Sequence, residues 1–296
     1  VEDKPCHNFV HIADGTINNM DINPDGVITN IALDQNGNIY LGGRFTKINN
    51  QIHYGIAKIR YDETLDTWNP NLNGFANSIT LDKLGHIYIG GTFTSIFGIE
   101  RNRLAKFKVD GSLDSWNPNA NNNINEIVLN SDGEVFICGD FTTIGYQPRN
   151  KIAKIKANGL VDNWYPNIEF GIRTIYLDPN DNIYIISEFS SLNGHNRNRI
   201  HKYKSNGELD LWSPIVDFVI NSIVTDNENN AYVGGTGGMS RYDTHLAKIN
   251  SNGDFQNWAP IFGGYIYVLA MDNNSNVFVG GDFASTGCEK HKNIVK

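Results

Sequence analysis

The chain carries one sentence of sequence five times and splits a sixth copy between its two ends. Tryptophans mark the copies. Trp68, Trp116, Trp164 and Trp212 follow one another at 48 residues, and Trp258 follows after 46. Three stand in nearly one phrase, DTWNPN, DSWNPN and DNWYPN, and the others read LWSP and NWAP. A fixed period of this size means a repeat architecture. One such unit is too small to bury both of its faces, so neighbours must stack.

Each unit reads as short strands. In the first, ITNIALD and IYLGGRF flank DQNGN, and Gly, Asn and Asp between two β-rich runs mark a hairpin turn. A polar loop, TKINNQIHYG, leads to IAKIRY, and after a turn LDTW supplies a fourth segment. The unit closes on NPN, where Pro cannot continue a ladder. No helical periodicity is sustained. The first strands are anchored at Ile31, Ile79, Ile127, Ile175, Ile223 and Leu269.

Four-stranded units of this length are the pattern of β-propeller blades. The expectation is an all-β, six-bladed β-propeller of four-stranded blades, one domain over residues 1–296. The last copy stops at NIVK, and FVHIADGTINNM near the start matches LAKFKVDGSLDSW, with Met20 in the tryptophan place. Residues 8–24 are thus expected to complete the blade formed by 265–296 and to close the ring. FVHI and NIVK both look like a third strand. FVHI is expected in the sheet, with NIVK outside it as a tail.

The phrases GGTFTSI, NRLAKF and DGSLDSWNP in the second unit, and GDFTTI, RNKIAKI and NGLVDNW in the third, resemble the delta-60 repeat. The fourth unit departs from it with ISEF and the fifth with GGTGGMSRYDTHLAKI. The resemblance implies a propeller, often in surface or secreted proteins, and so an extracellular or surface-associated setting. It implies no particular reaction.

The net charge of −8, with no basic run, argues against nucleic acid as a partner. No apolar stretch approaches the ~20 residues of a membrane span. Of the three cysteines, Cys138 reads as a small buried thiol. Cys6 and Cys288 lie near opposite ends, and a disulfide between them would hold a ring closed.

Function in a repeat should sit where the repeat is broken. One first-strand position carries Thr29, Asn77, Asn125, Arg173, Asn221 and Tyr267, and the next carries Asn30, Ser78, Glu126, Thr174, Ser222 and Val268. Asn77, Asn125, Glu126, Arg173, Asn221 and Tyr267 are the candidate ligand-binding residues of a central channel. Glu126 is the candidate metal ligand, since carboxylate and amide oxygens suit calcium. The turns DQNGN, NSDGE, DPNDN and DNNSN mimic the opening of a calcium loop but lack its later Glu, and they read first as hairpin turns. A second candidate surface is the set of variable loops between second and third strands.

No catalytic motif appears, so no catalytic residue is assigned. The leading expectation is a non-enzymatic binding or structural propeller with a protein or glycan partner and no cofactor. One alternative is a calcium-dependent hydrolase or lactonase with its site at the channel mouth. Another is a repeat subunit of a larger assembly, paired through its terminal strands.

Overall fold

The computed structural model describes the chain apart from residues 1–10, 14–15, 19–21, 167, 169–170, 188–190, 193–194, 197–199, 217, 238–244, 259 and 287–293. All of its regular elements are strands. Among the described residues, no helix is long and apolar enough to cross a membrane. The chain divides into two compact units, residues 1–168 and 169–296.

Unit 1 holds three antiparallel sheets of three strands each: Val27–Leu33, Ile39–Arg44 and Ile56–Ile59; Ala76–Leu81, Ile87–Gly91 and Leu104–Phe107; Ile124–Leu129, Val135–Gly139 and Ile152–Ile155. Unit 2 holds three more: Ile172–Leu177, Ile183–Ser187 and Ile200–Tyr203; Val219–Thr225, Ala231–Thr236 and Leu246–Ile249; Phe262–Met271, Val277–Thr286 and Ile294–Val295.

Among the described residues the expected fourth strand is reduced to one bridge in five of the six sheets, as in Ile59↔Leu65, Phe107↔Leu113 and Tyr203↔Leu209. The reason is local. An aspartate follows the bridge and turns the chain off the ladder. Asp66, Asp114, Asp162 and Asp210 each accept the backbone N–H of the tryptophan two residues on, at 2.7–2.8 Å. A proline two residues past the tryptophan then offers no donor.

Within each unit the core lies between consecutive sheets. In unit 1, Tyr40 and Ile56 of the first sheet share a cluster with Leu72, Ile79 and Ile89 of the second. Tyr88 and Leu104 of the second share one with Ile124, Ile127 and Ile137 of the third. The double glycine makes this approach close. A Cβ at Gly90 would stand 2.5 Å from Ile124 Cγ2, and one at Gly91 would stand 1.9 Å from the Phe75 carbonyl oxygen. Ile79, Ile127, Ile175, Ile223 and Leu269 are all buried, whereas Ile31 at the same position is 51% exposed.

Within each unit a tryptophan joins one repeat to the next. Trp68 packs edge-on against Tyr40 of its own sheet, with ring centroids at 5.9 Å, and against Phe107 of the next at 5.1 Å. Its Nε1–H donates to the Gly111 carbonyl at 3.0 Å. In unit 2, Trp212 packs on Tyr184 at 5.4 Å and donates to the Asn250 carbonyl at 2.9 Å.

The terminal assignment differs from expectation. Ile294–Val295 takes the third-strand place, with Gly280↔Ile294 and Val279↔Val295 repeating Gly42↔Ile56 and Leu41↔Ala57, while Phe9 and Val10 of FVHI lie outside the described residues. Lys296 explains the choice. It lies over the Phe278 ring at 5.4 Å and 3.9 Å from Asp272, as Lys106 lies over Tyr88 at 4.9 Å and 4.0 Å from Asp82. FVHI has no lysine to complete that set. His11–Ala13 instead pairs with Thr16–Asn18.

Candidate functional site

In each unit the candidate first-strand positions fall on β-bulges. Register skips one residue in every first strand, between Ile28 and Asn30, Ala76 and Ser78, Ile124 and Glu126, Ile172 and Thr174, Ile220 and Ser222, and Ile266 and Val268. The skipped residues are Thr29, Asn77, Asn125, Arg173, Asn221 and Tyr267, the candidate ring itself. A bulge leaves its extra residue off the ladder and re-aims its side chain.

Much of that polarity is spent on the neighbouring repeat. In unit 1, Asn77 Nδ2 donates to the Ile124 carbonyl at 2.9 Å. In unit 2, Asn221 Nδ2 donates to the Ile266 carbonyl at 2.8 Å, and Arg173 Nη1 reaches Asn221 Oδ1 at 3.4 Å. At the following position Asn30 Oδ1, Ser78 Oγ and Ser222 Oγ accept the N–H groups of Ile79, Ile127 and Leu269. Glu126 occupies this stitching position and pairs across the ladder with Cys138. Asn125, Arg173 and Tyr267 are exposed. Burial pushes the fully enclosed Cys138 thiol well above its ordinary pKa, with the Glu126 charge adding to it, which keeps the sulfur unreactive. Cys6 and Cys288 lie outside the described residues.

The calcium-like turns are capped internally. Asp226 Oδ1 accepts the N–H groups of Glu228 and Asn230, and Oδ2 accepts from Asn230 Nδ2 and the Tyr232 hydroxyl. Asp34, Asp178 and Asp272 make the same backbone and Asn contacts. Among the described residues, no three His, Cys, Asp or Glu side chains converge as a metal site.

The variable loops gave the surface that sequence reasoning described only coarsely. In unit 1 each is a two-strand hairpin: Lys47–Ile48 with Gln51–Ile52, Ser95–Ile96 with Ile99–Glu100, and Thr143–Ile144 with Gln147–Pro148. Each turns on two residues of positive φ, namely Asn49 and Asn50, Phe97 and Gly98, and Gly145 and Tyr146. Such turns favour Asn and Gly. Phe97 at φ 51° and Tyr146 at φ 62° therefore hold a strained backbone, and Tyr146 is 90% exposed. Tyr146→Asn should raise stability by about 1 kcal/mol, read as a higher urea midpoint at unchanged slope. A midpoint at or below that of the parent would show that the turn is unstrained.

Tyr146 overlooks a cleft of about 240 Å³ lined by Asn117, Pro118, Asn119, Gly145, Gln147, Gly159, Leu160 and Val161. No charged side chain lines it. Beside it, Arg149 donates to the Asp162 and Pro148 carbonyls and so fixes the outer limb of the hairpin.

A family described as a domain of unknown function (DUF5122) beta-propeller matches residues 85–115, 130–163 and 179–211. The WD40 β-propeller domain of Doa1 superposes with a TM-score of 0.61 at 14% identity, over 91% of this chain and 81% of that one. The fold is a β-propeller. A gluconolactonase from Xanthomonas campestris, at TM-score 0.53 and 13% identity over 87% of this propeller and 84% of its own chain, shares it. So does YCF48, solved bound to D1 peptide, at TM-score 0.58 and 11% identity over 89% and 78%. At such identities the likeness extends to the fold alone. No curated protein matches the sequence.

Proposed function

We propose that the chain is a non-enzymatic binding module, a six-bladed propeller of delta-60 type that works at a surface or outside the cell and recognises a protein or glycan through its hairpin loops. One observation carries this reading: an exposed tyrosine is held at a strained turn above an uncharged cleft, where a shorter polar residue would suit the fold better. Strain of that kind persists where it serves a site. The gluconolactonase and the peptide-bound YCF48 illustrate that this fold serves both catalysis and binding.

The experiment sets the two against each other. Gluconolactone opening followed at constant pH, with and without calcium, is expected to stay at the uncatalysed rate. Calcium-dependent opening that is lost in Glu126→Ala would instead establish the hydrolase reading, with Glu126 as metal ligand. A mass that rises with concentration in sedimentation would favour the assembly subunit.

In this reading six blades close a ring, the N-terminal segment completes the last blade, and closure would cover Ile31, which is 51% exposed in this structure. Ile31→Asp is then expected to cost about 2–4 kcal/mol in urea unfolding, as burial of an unpaired charge would. A cost under about 0.5 kcal/mol, typical of surface changes, would sink the closure.

A further inference from the structure

The Tyr146 cleft holds hydrogen-bonding groups that the repeat spends elsewhere. Trp68 and Trp212 satisfy their indole N–H on the carbonyls of Gly111 and Asn250. Trp116, only 6% exposed, has no acceptor for Nε1 among the described residues. Its indole stands directly behind Gly159 in the cleft wall, where an added Cβ would lie 3.1 Å from Cδ1 and 3.5 Å from Nε1. Asn69 donates its amide to the Ile52 carbonyl at 2.7 Å. Asn117, at the same place one repeat later, has no such bond among the described residues and lines the cleft. Trp116 does not itself line the cleft, so its indole reports on the cleft through Gly159, and Asn117 is the group left to bond a ligand.

We propose that this cleft binds one ring of a neutral saccharide, its apolar C–H face on Tyr146 and its hydroxyls on Asn117, Asn119 and Gln147. The inference rests on the binding-module reading and adds the ligand class. The lining residues are uncharged, and the nearby Arg149 guanidinium is spent on the Asp162 and Pro148 carbonyls and on Gln147 Oε1 at 3.3 Å, which favours a neutral ligand. A carboxamide both donates and accepts, as a hydroxyl does. The exposed tyrosine ring gives a flat apolar platform with a polar tip. The cleft lies just below the ~300–1,000 Å³ of sites for drug-sized ligands, a size for a single ring rather than a long chain.

The test is a ¹⁵N NMR titration of the whole chain with glucose, galactose, mannose and N-acetylglucosamine in turn. The Trp116 indole N–H signal is identified by its loss in Trp116→Phe. It is expected to shift saturably with at least one sugar. Tyr146→Ala and Asn117→Ala should each weaken that binding about tenfold or more, whereas Tyr61→Ala, an exposed tyrosine outside the cleft, should leave it unchanged. No saturable shift with any sugar, or a shift indifferent to Tyr146, overturns the proposal. A Tyr146-dependent shift with a proline-rich peptide and none with sugars overturns the saccharide assignment while leaving the binding module standing. Chemical conversion of a bound sugar overturns the binding-module reading itself.

Discussion

Trp212→Ala is expected to destabilise the chain by about 3–5 kcal/mol, a fall of roughly 10 °C in melting temperature. The indole is 6% exposed and sits in a cluster that runs from Tyr184 and Ile186 to Ile220, Val233 and Ile249. It closes on the Tyr184 ring edge-on, and its Nε1–H satisfies the Asn250 carbonyl of the following repeat. Truncation removes the ring, opens a cavity between two sheets and leaves the Asn250 carbonyl with the Gly253 N–H alone. Trp212→Phe separates the parts. It keeps most of the apolar volume and loses the hydrogen bond, so about 1–2 kcal/mol should go. Urea unfolding at matched slope measures both, and a Trp212→Ala cost below about 1 kcal/mol would refute the idea that this residue couples neighbouring repeats.

The same residue shows what the sequence makes legible. A period of 48 with strands of alternating pattern gives the sheets, because turn chemistry and strand pairing are local. Its reach does not follow from the period. A tryptophan anchored in its own sheet and one bonded to the next repeat read alike, and only coordinates show Trp68 on Gly111. The first-strand polar positions hid their role for a similar reason. Asn77 and Asn221 look like ligand-binding amides, yet each spends its Nδ2 on a backbone carbonyl one repeat away. The hairpins in the variable loops escaped because Phe97-Gly98 and Gly145-Tyr146 put aromatic rings where Asn-Gly would announce the turn. The terminal strand was decided by Lys296, whose value shows only beside Lys58, Lys106, Lys154, Lys202 and Lys248, each over the aromatic ring of its own second strand.

That lysine belongs to a small network, and Asp226, 6% exposed, holds a buried copy of it. Burial alone would raise the pKa of this carboxyl. The bonds from the Asn230 side chain and backbone, from Tyr232 and from the Glu228 N–H outweigh burial and hold it below the ordinary carboxylate range. Lys248 Nζ stands 3.4 Å away, over the Tyr232 ring. Asp226→Ala strands the amide, the hydroxyl and the ammonium together, so the expected loss at neutral pH is about 3 kcal/mol. Because the folded carboxyl has the lower pKa, its contribution is complete above the ordinary value near 4 and is lost as pH falls through the folded one. The gap between parent and variant should therefore narrow below about pH 4. The third repeat supplies the rescue. There Asn130 replaces the aspartate and Glu134 the asparagine, Asn130 Nδ2 donates to Glu134 Oε2 at 2.8 Å, and Lys154 pairs with Glu134 at 2.6 Å. The charge has moved along the turn and still meets the lysine. Asp226→Asn combined with Asn230→Glu should accordingly recover most of what Asp226→Asn loses, and additive losses in a double-mutant cycle would show that the lysine does not require a carboxylate there.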